Sequence, residues 1–343
     1  MDQYGKTIRV GSVAIACAIV LRLGTLGFFA PVAEFLTSRQ GAAIFLFLET
    51  GHILRPAPPV ATSPQATETT PSTDPVETTP PPTQPTQPSP PPQGATVFSS
   101  ADAKRVQVHS YCGHTAEVET WLEQPLSWEL KQDQPTVLIV HSHGTESYEN
   151  TEGYQESSDY RTRDENYNVV SVGDALVRLL EAGGVRALHD RQLHDYPSYS
   201  ASYANSRTSV QGYLDKYPSI RLVLDLHRDA VTNDDGDQLK YTVQTDKGAA
   251  AQLMLVVGTD AGGLSHAQWP ENMSLAVKFH AQLEKLCPGI CRPISFRTQR
   301  FNQDLSTGAL LVEVGAAGNT RQEALAAVAY LAQTILALSQ GTG

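Results

Sequence analysis

The sequence predicts an α/β domain, a mostly parallel sheet with helices on both faces, carried behind a membrane anchor and a proline-rich linker. Three observations predict it. Short, largely apolar runs recur without polar alternation, namely the β-branched Thr136–His141 (TVLIVH), and Leu222–Leu226 (LVLDL), Gln252–Val257 (QLMLVV) and Ala309–Val314 (ALLVEV), as strands buried on both faces do. Segments of helical spacing alternate with those runs, the signature of helices layered on a parallel sheet. Of the 22 prolines in 343 residues, 14 fall between Pro56 and Pro92, which divides the chain into unlike zones.

In chain order, Met1–Arg9 carries Lys6 and Arg9 and leads into the apolar run Val10–Leu21; after Arg22 comes a second run, Leu23–Ala33. Read together, residues 10–33 are long enough to cross a hydrocarbon core of ~30 Å at ~1.5 Å per residue. Arg22 works against insertion, by about 2.5–3.5 kcal/mol at the bilayer centre. Basic residues ahead of the run predict a single-pass signal-anchor with the remainder of the chain outside the membrane. A cleavable signal peptide competes with this reading, although no clean Ala-x-Ala site follows closely. Residues 1–54 are thus the anchor region. Residues 55–94, rich in proline, threonine and glutamine, have little to bury and read as a disordered, semi-rigid linker.

Residues 95–343 form the α/β domain. An edge hairpin is expected within Ala95–Gln134, followed by the strand Thr136–His141. Asn168–Ala182 is a helix stopped by Gly183-Gly184. Next come a strand at Val185–Leu188, a helix at Ser206–Lys216 ending before Pro218, and the strand Leu222–Leu226. The strand Gln252–Val257, the helix Asn272–Leu286, the strand Ala309–Val314 and the helix Thr320–Leu338 complete the set.

A net charge of −11 argues against nucleic acid as a partner. With 4 cysteines the chain is not a disulfide-stapled scaffold. Cys287 and Cys291 flank Pro288-Gly289-Ile290, and either a disulfide or two thiols suits that spacing.

Three strand ends carry polar clusters, where open α/β sheets place their sites. They are His141-Ser142-His143-Gly144-Thr145-Glu146, Asp225-Leu226-His227-Arg228-Asp229, and Glu313 within an otherwise apolar strand. Histidines at i, i+2 on a strand share a face, and imidazoles with a carboxylate are zinc ligands. A further free carboxylate would serve as general base. The structural readings compete: hydrogen-bonded loop histidines at His141 and His143, a buried His227 satisfied by Asp225 or Asp229, and an ion pair between Glu313 and Arg228. His189 and His194 read as loop-structuring, and Tyr196, Tyr199 and Tyr203 as a sugar-binding groove or as ordinary loop tyrosines.

The stretches VLIVHSHGTESY, HDRQLHDYPSYSASYANSR, LVLDLHRDA, FNQDLS and LLVEVGAAGNTRQEA together resemble the stage II sporulation protein P family over roughly Thr136–Leu338. That family is similar to zinc-dependent N-acetylmuramoyl-L-alanine amidases. The resemblance implies peptidoglycan hydrolysis at the amide between muramic acid and L-alanine, with cleavage of peptide cross-links as a further activity. It implies a role in septal wall removal and engulfment, beside the stage II sporulation protein D transglycosylase. It also implies Zn2+ held by His143, or its rival His141, by His227, and by Glu146 in preference to Glu165. Glu313 is the implied catalytic glutamate, with Arg228 on the substrate peptide or the scissile carbonyl. Asn302, Gln303 and Asn319 are the implied substrate-binding amides, with Phe301 where a tyrosine is usual. Two other readings remain open from the residues themselves, an inactive wall-binding scaffold on the same fold and a different zinc peptidase.

Overall fold

The structure, a computed structural model, describes residues 96–149, 157 and 159–342. The expected anchor and linker lie outside the described residues. Among the described residues no helix is long and apolar enough to cross a membrane.

Elements run α1 (Ser100–Ala103), β1 (Val108–Ser110), α2 (Val118–Glu123), β2 (Val137–Val140), α3 (Val169–Ala182), β3 (Ala187–His189), α4 (Ser202–Lys216) and β4 (Leu222–Asp229). They continue with β5 (Thr242–Thr245), β6 (Gly248–Ala251), β7 (Leu253–Val257), α5 (Trp269–Leu286), β8 (Ile294–Phe296), β9 (Ala309–Ala316) and α6 (Arg321–Ala337). Seven strands form one sheet in the order β1-β8-β7-β9-β4-β2-β3, and β5 pairs with β6 as a separate antiparallel hairpin. Every pairing in the large sheet is parallel except β7 with β9.

Two of the four long helices start where a side chain satisfies orphan amides. The Asn168 side chain accepts from Val170 N at the head of α3, and Thr320 forms a capping box with Glu323 at the head of α6. One face of the sheet carries the large core, in which Ile139, Leu224, Leu226 and Val312 meet α3, α5 and α6 through Leu176, Phe279 and Leu331. The other face carries a smaller core of Leu138, Val140, Val223 and Ala309 beneath Val210 of α4. Helices on both faces were expected; their division, three long helices against one, was not legible from periodicity.

One expectation changes. No hairpin stands within the first 40 residues of the domain: β1 is a parallel edge strand on β8, flanked by the short helices α1 and α2. The hairpin lies instead at β5–β6, where an unexceptional polar sequence gave no strand signal. Cys112, Cys287 and Cys291 are all free thiols.

Candidate active site

Because β2, β4 and β9 are mutually parallel, their C-terminal ends lie together. His227 of β4 is in register with Glu313 of β9, so the two side chains stand side by side on one face. Directly beyond, β9 carries one extra residue between its pairings with His227 and with Asp229, and Gly315 there takes φ 72°. Such a bulge beside a site re-aims neighbouring side chains, and a left-handed position favours glycine.

His143 reaches the same face from the turn after β2. Its ring is edge-on to His227 at 5.3 Å between centroids and stacked on Tyr199 at 4.4 Å. Tyr199 OH lies 3.2 Å from His143 Nε2, while Nδ1, fully enclosed, has no hydrogen-bond partner. Burial pulls His143 down to about 3, so the ring is neutral.

His141 does not join it. The same-face rule for i, i+2 holds only while a strand continues, and β2 ends at Val140. His141 stays on the large-core face, where burial lowers it to about 3. Neutral, it donates from Nδ1 to the Leu226 carbonyl at 2.9 Å, and its Nε2 lies 2.8 Å from His189 Nε2. With both nitrogens engaged and Gly173 packed against them, His141 is a structural histidine. His189 in turn bonds Asp174, and His194 bonds Asp190, as the loop-structuring reading expected.

Glu146 lies at the cluster and Glu165 does not. Glu165 pairs at the surface with Arg191. Glu146 Oε2 accepts from the Arg228 backbone N–H at 3.1 Å and lies 3.5 Å from His227 Nδ1. Burial works to raise its pKa, but the Arg228 guanidinium, His227 and Arg161 together hold it well below the usual carboxylate range.

Arg228, expected at the substrate, is turned into the protein. It donates from Nε to the Ser147 carbonyl at 2.9 Å and from Nη2 to the Tyr160 carbonyl at 2.7 Å, with Nη1 3.6 Å from Glu146. Its task is to hold the Glu146 loop and neutralise that carboxylate; breaking such a buried pair typically costs about 3–5 kcal/mol. The expected Arg228–Glu313 ion pair is absent among the described residues. Glu313 has an enclosed Oε2 with no hydrogen-bond partner. Burial, with Asp229 and Glu146 as like charges, raises its pKa well above the ordinary value. A raised carboxylate beside a depressed one is the arrangement that separates acid–base work from binding.

The three amides expected at the substrate are structural. Asn319 Oδ1 accepts from Ala316 N and Tyr241 N, and Nδ2 donates to Tyr241 O and Glu323. Gln303 accepts from Gly258 N and donates to Val256 O, both at 2.8 Å. Asn302 Nδ2 donates to Tyr203 O and Ser206 Oγ. Asn319 and Gln303 are fully buried and must find partners within the fold, while Asn302 is half-buried; the spacing alone could not show this.

Sequence reasoning passed over Arg161, which bonds Asp195 at 2.8 Å and lies over the Tyr199 ring at 4.5 Å. Its exposed loop context gave no signal. Tyr199, read as a groove tyrosine or an ordinary loop one, stacks on His143.

Among the described residues no three histidine, cysteine or carboxylate groups are already drawn together around a metal position. The donor chemistry nevertheless fits zinc: two buried imidazoles in edge contact, one with an orphaned Nδ1, and an ionised carboxylate against the other. The residues concerned are His143, Glu146 and His227.

The fold and cluster define an α/β protein with a histidine–carboxylate site at the C-terminal ends of adjacent parallel strands. The chain belongs to the stage II sporulation protein P family, whose model matches residues 60–336. It is 29% identical over 203 residues to stage II sporulation protein P of Bacillus subtilis (strain 168), covering 56% of this chain and 48% of that one. The chain thus spans about half the length of that curated relative. Among solved structures, an N-acetylmuramoyl-L-alanine amidase from Clostridium difficile 630 matches at 14% identity and TM-score 0.38, over 60% of this chain and 97% of that one. The amidase AmiC2 of Nostoc punctiforme matches at 16% and 0.36, over 59% and 95%. Overlaps of this quality decide nothing about chemistry.

Proposed function

We propose that the protein is a zinc-dependent peptidoglycan hydrolase that cleaves the amide between muramic acid and L-alanine, anchored by residues 10–33 with the domain outside the membrane. Family membership supports a role in sporulation, in septal wall removal beside a transglycosylase. The observation that carries the chemistry is the register of Glu313 beside His227, with His143 and Glu146 at the same strand ends.

His143, Glu146 and His227 would hold the ion. A bound zinc supplies Lewis acidity, which polarises an amide carbonyl and makes water easier to deprotonate. Arg228 and Arg161 keep Glu146 ionised, and burial keeps His143 neutral, the forms that bind a cation; His227, which Asp225 and Glu146 hold protonated against its burial in the metal-free protein, would release its proton on binding. Glu313, held beside them without a fixed partner for Oε2, takes a proton from the attacking water and returns it to the departing alanine nitrogen.

Digestion of purified wall, with new termini read by mass spectrometry, tests this reading. New L-alanine amino termini are expected; cross-link termini alone would make the protein an endopeptidase, and no products would favour a scaffold. Location is tested separately. Protease added to protoplasts is expected to degrade residues 95–343, and protection of that region would refute the anchored topology.

A further inference from the structure

We propose that Asp225 is the positioning residue of His227, and that the loop at Asn302 holds Asp225 in place through Ser206 and Ser142. The inference deepens the zinc reading above and rests on it. Asp225 lies two residues before His227 on β4, so both stand on one face. Its Oδ1 comes within 2.8 Å of His227 Nε2, off the line of an ideal hydrogen bond. That proximity turns Nε2 toward Asp225 and leaves Nδ1 toward Glu146.

Asp225 is itself pinned. Oδ1 accepts from Ser142 N at 2.8 Å and Oδ2 from Ser142 Oγ at 2.6 Å. The single Ser142 hydroxyl proton is therefore committed to Asp225, so at 2.7 Å from Ser206 Oγ it accepts. Ser206 Oγ accepts in turn from Asn302 Nδ2 at 3.1 Å. The Ser206 proton faces two acceptors, Ser142 Oγ at 2.7 Å and the Tyr203 carbonyl at 3.3 Å; given to the nearer, the donors run from Asn302 to Ser206 to Ser142 to Asp225, ending on the carboxylate behind the imidazole. Ser142 and Ser206 are each 1% exposed, so bulk solvent hardly reaches these bonds. A carboxylate behind a metal-binding histidine fixes the ring's orientation and which nitrogen carries the proton, and its loss typically costs about 10–100-fold in metal affinity.

The test titrates the purified full-length chain with zinc against a competing chelator. It also records 15N shifts of the histidine rings, assigned with His227→Gln. Asp225→Asn is expected to weaken zinc binding about 10–100-fold and to move the His227 shifts, with little change in Tm. Asn302→Ala and Ser206→Ala are expected to weaken it less, in the same direction, and they keep the test available should Asp225→Asn not fold. Unchanged affinity and shifts in Asp225→Asn would overturn the proposal. A loss as complete as that of His227→Ala would overturn it too, making Asp225 a ligand. If the parent chain bound no zinc, the functional reading would fall by itself; the shifts would still report whether Asp225 orients the ring.

Discussion

Glu313→Gln is expected to fold, retain zinc and lose wall hydrolysis by about 10²–10⁴-fold, the usual contribution of a positioned acid–base group. The amide keeps the size of the side chain but cannot take a proton. The pH behaviour sharpens the test. Burial, then Asp229 and Glu146, raise the Glu313 pKa. In the metal-free protein its base form is therefore lost as pH falls through a value above the usual carboxylate range, and a bound cation would draw that value down; the acid limb Glu313 sets should vanish in the residual activity of the variant. Stability moves the other way. A carboxyl whose folded pKa is raised destabilises the fold progressively as pH rises from its unfolded pKa through its folded one. Glu313→Gln should therefore melt no lower than the parent at neutral pH. Near-normal hydrolysis by the folded, zinc-loaded variant would sink the catalytic assignment, and a stripped metal would make Glu313 a ligand.

The second large effect is loss of the metal. His227→Ala is expected to abolish stoichiometric zinc, measured by elemental analysis of purified protein, since two remaining ligands bind weakly. Glu146→Ala should lose it as well. Glu165→Ala should keep it, because Glu165 spans the surface to Arg191. Zinc retained by Glu146→Ala and lost by Glu165→Ala would reverse the assignment of the acidic ligand.

The buried strands were legible because nothing but apolar packing shapes them. The cores of β2, β4, β7 and β9 lie where their runs predict, as do α3 and α6, whose ends carry Asn168 and Thr320. Strand direction was not legible: QLMLVV reads identically in either sense, and β7 runs against β9. At the site, chemistry-bearing residue types were visible but their destinations were not. His141 and His143 differ only in whether the strand has ended. Arg228 and Asn319 look functional in sequence because charged and amide groups are costly to bury; here backbone carbonyls and amides satisfy them.

The reversal between β7 and β9 has an outcome for how the family motif Phe301-Asn302-Gln303 meets the chemistry. In a sheet running all one way, a loop following β8 would overhang the catalytic rim. Here β8 runs with β7, so its following loop emerges at the far rim and enters β9 from its starting end. The motif then crosses the sheet face that carries Asp225 and Glu313, where Asn302 bonds Tyr203 and Ser206 of α4. Phe301, where the resemblance implies a tyrosine, packs against Met254, Val256 and Leu311 and supports Tyr203, 5.9 Å away between ring centroids.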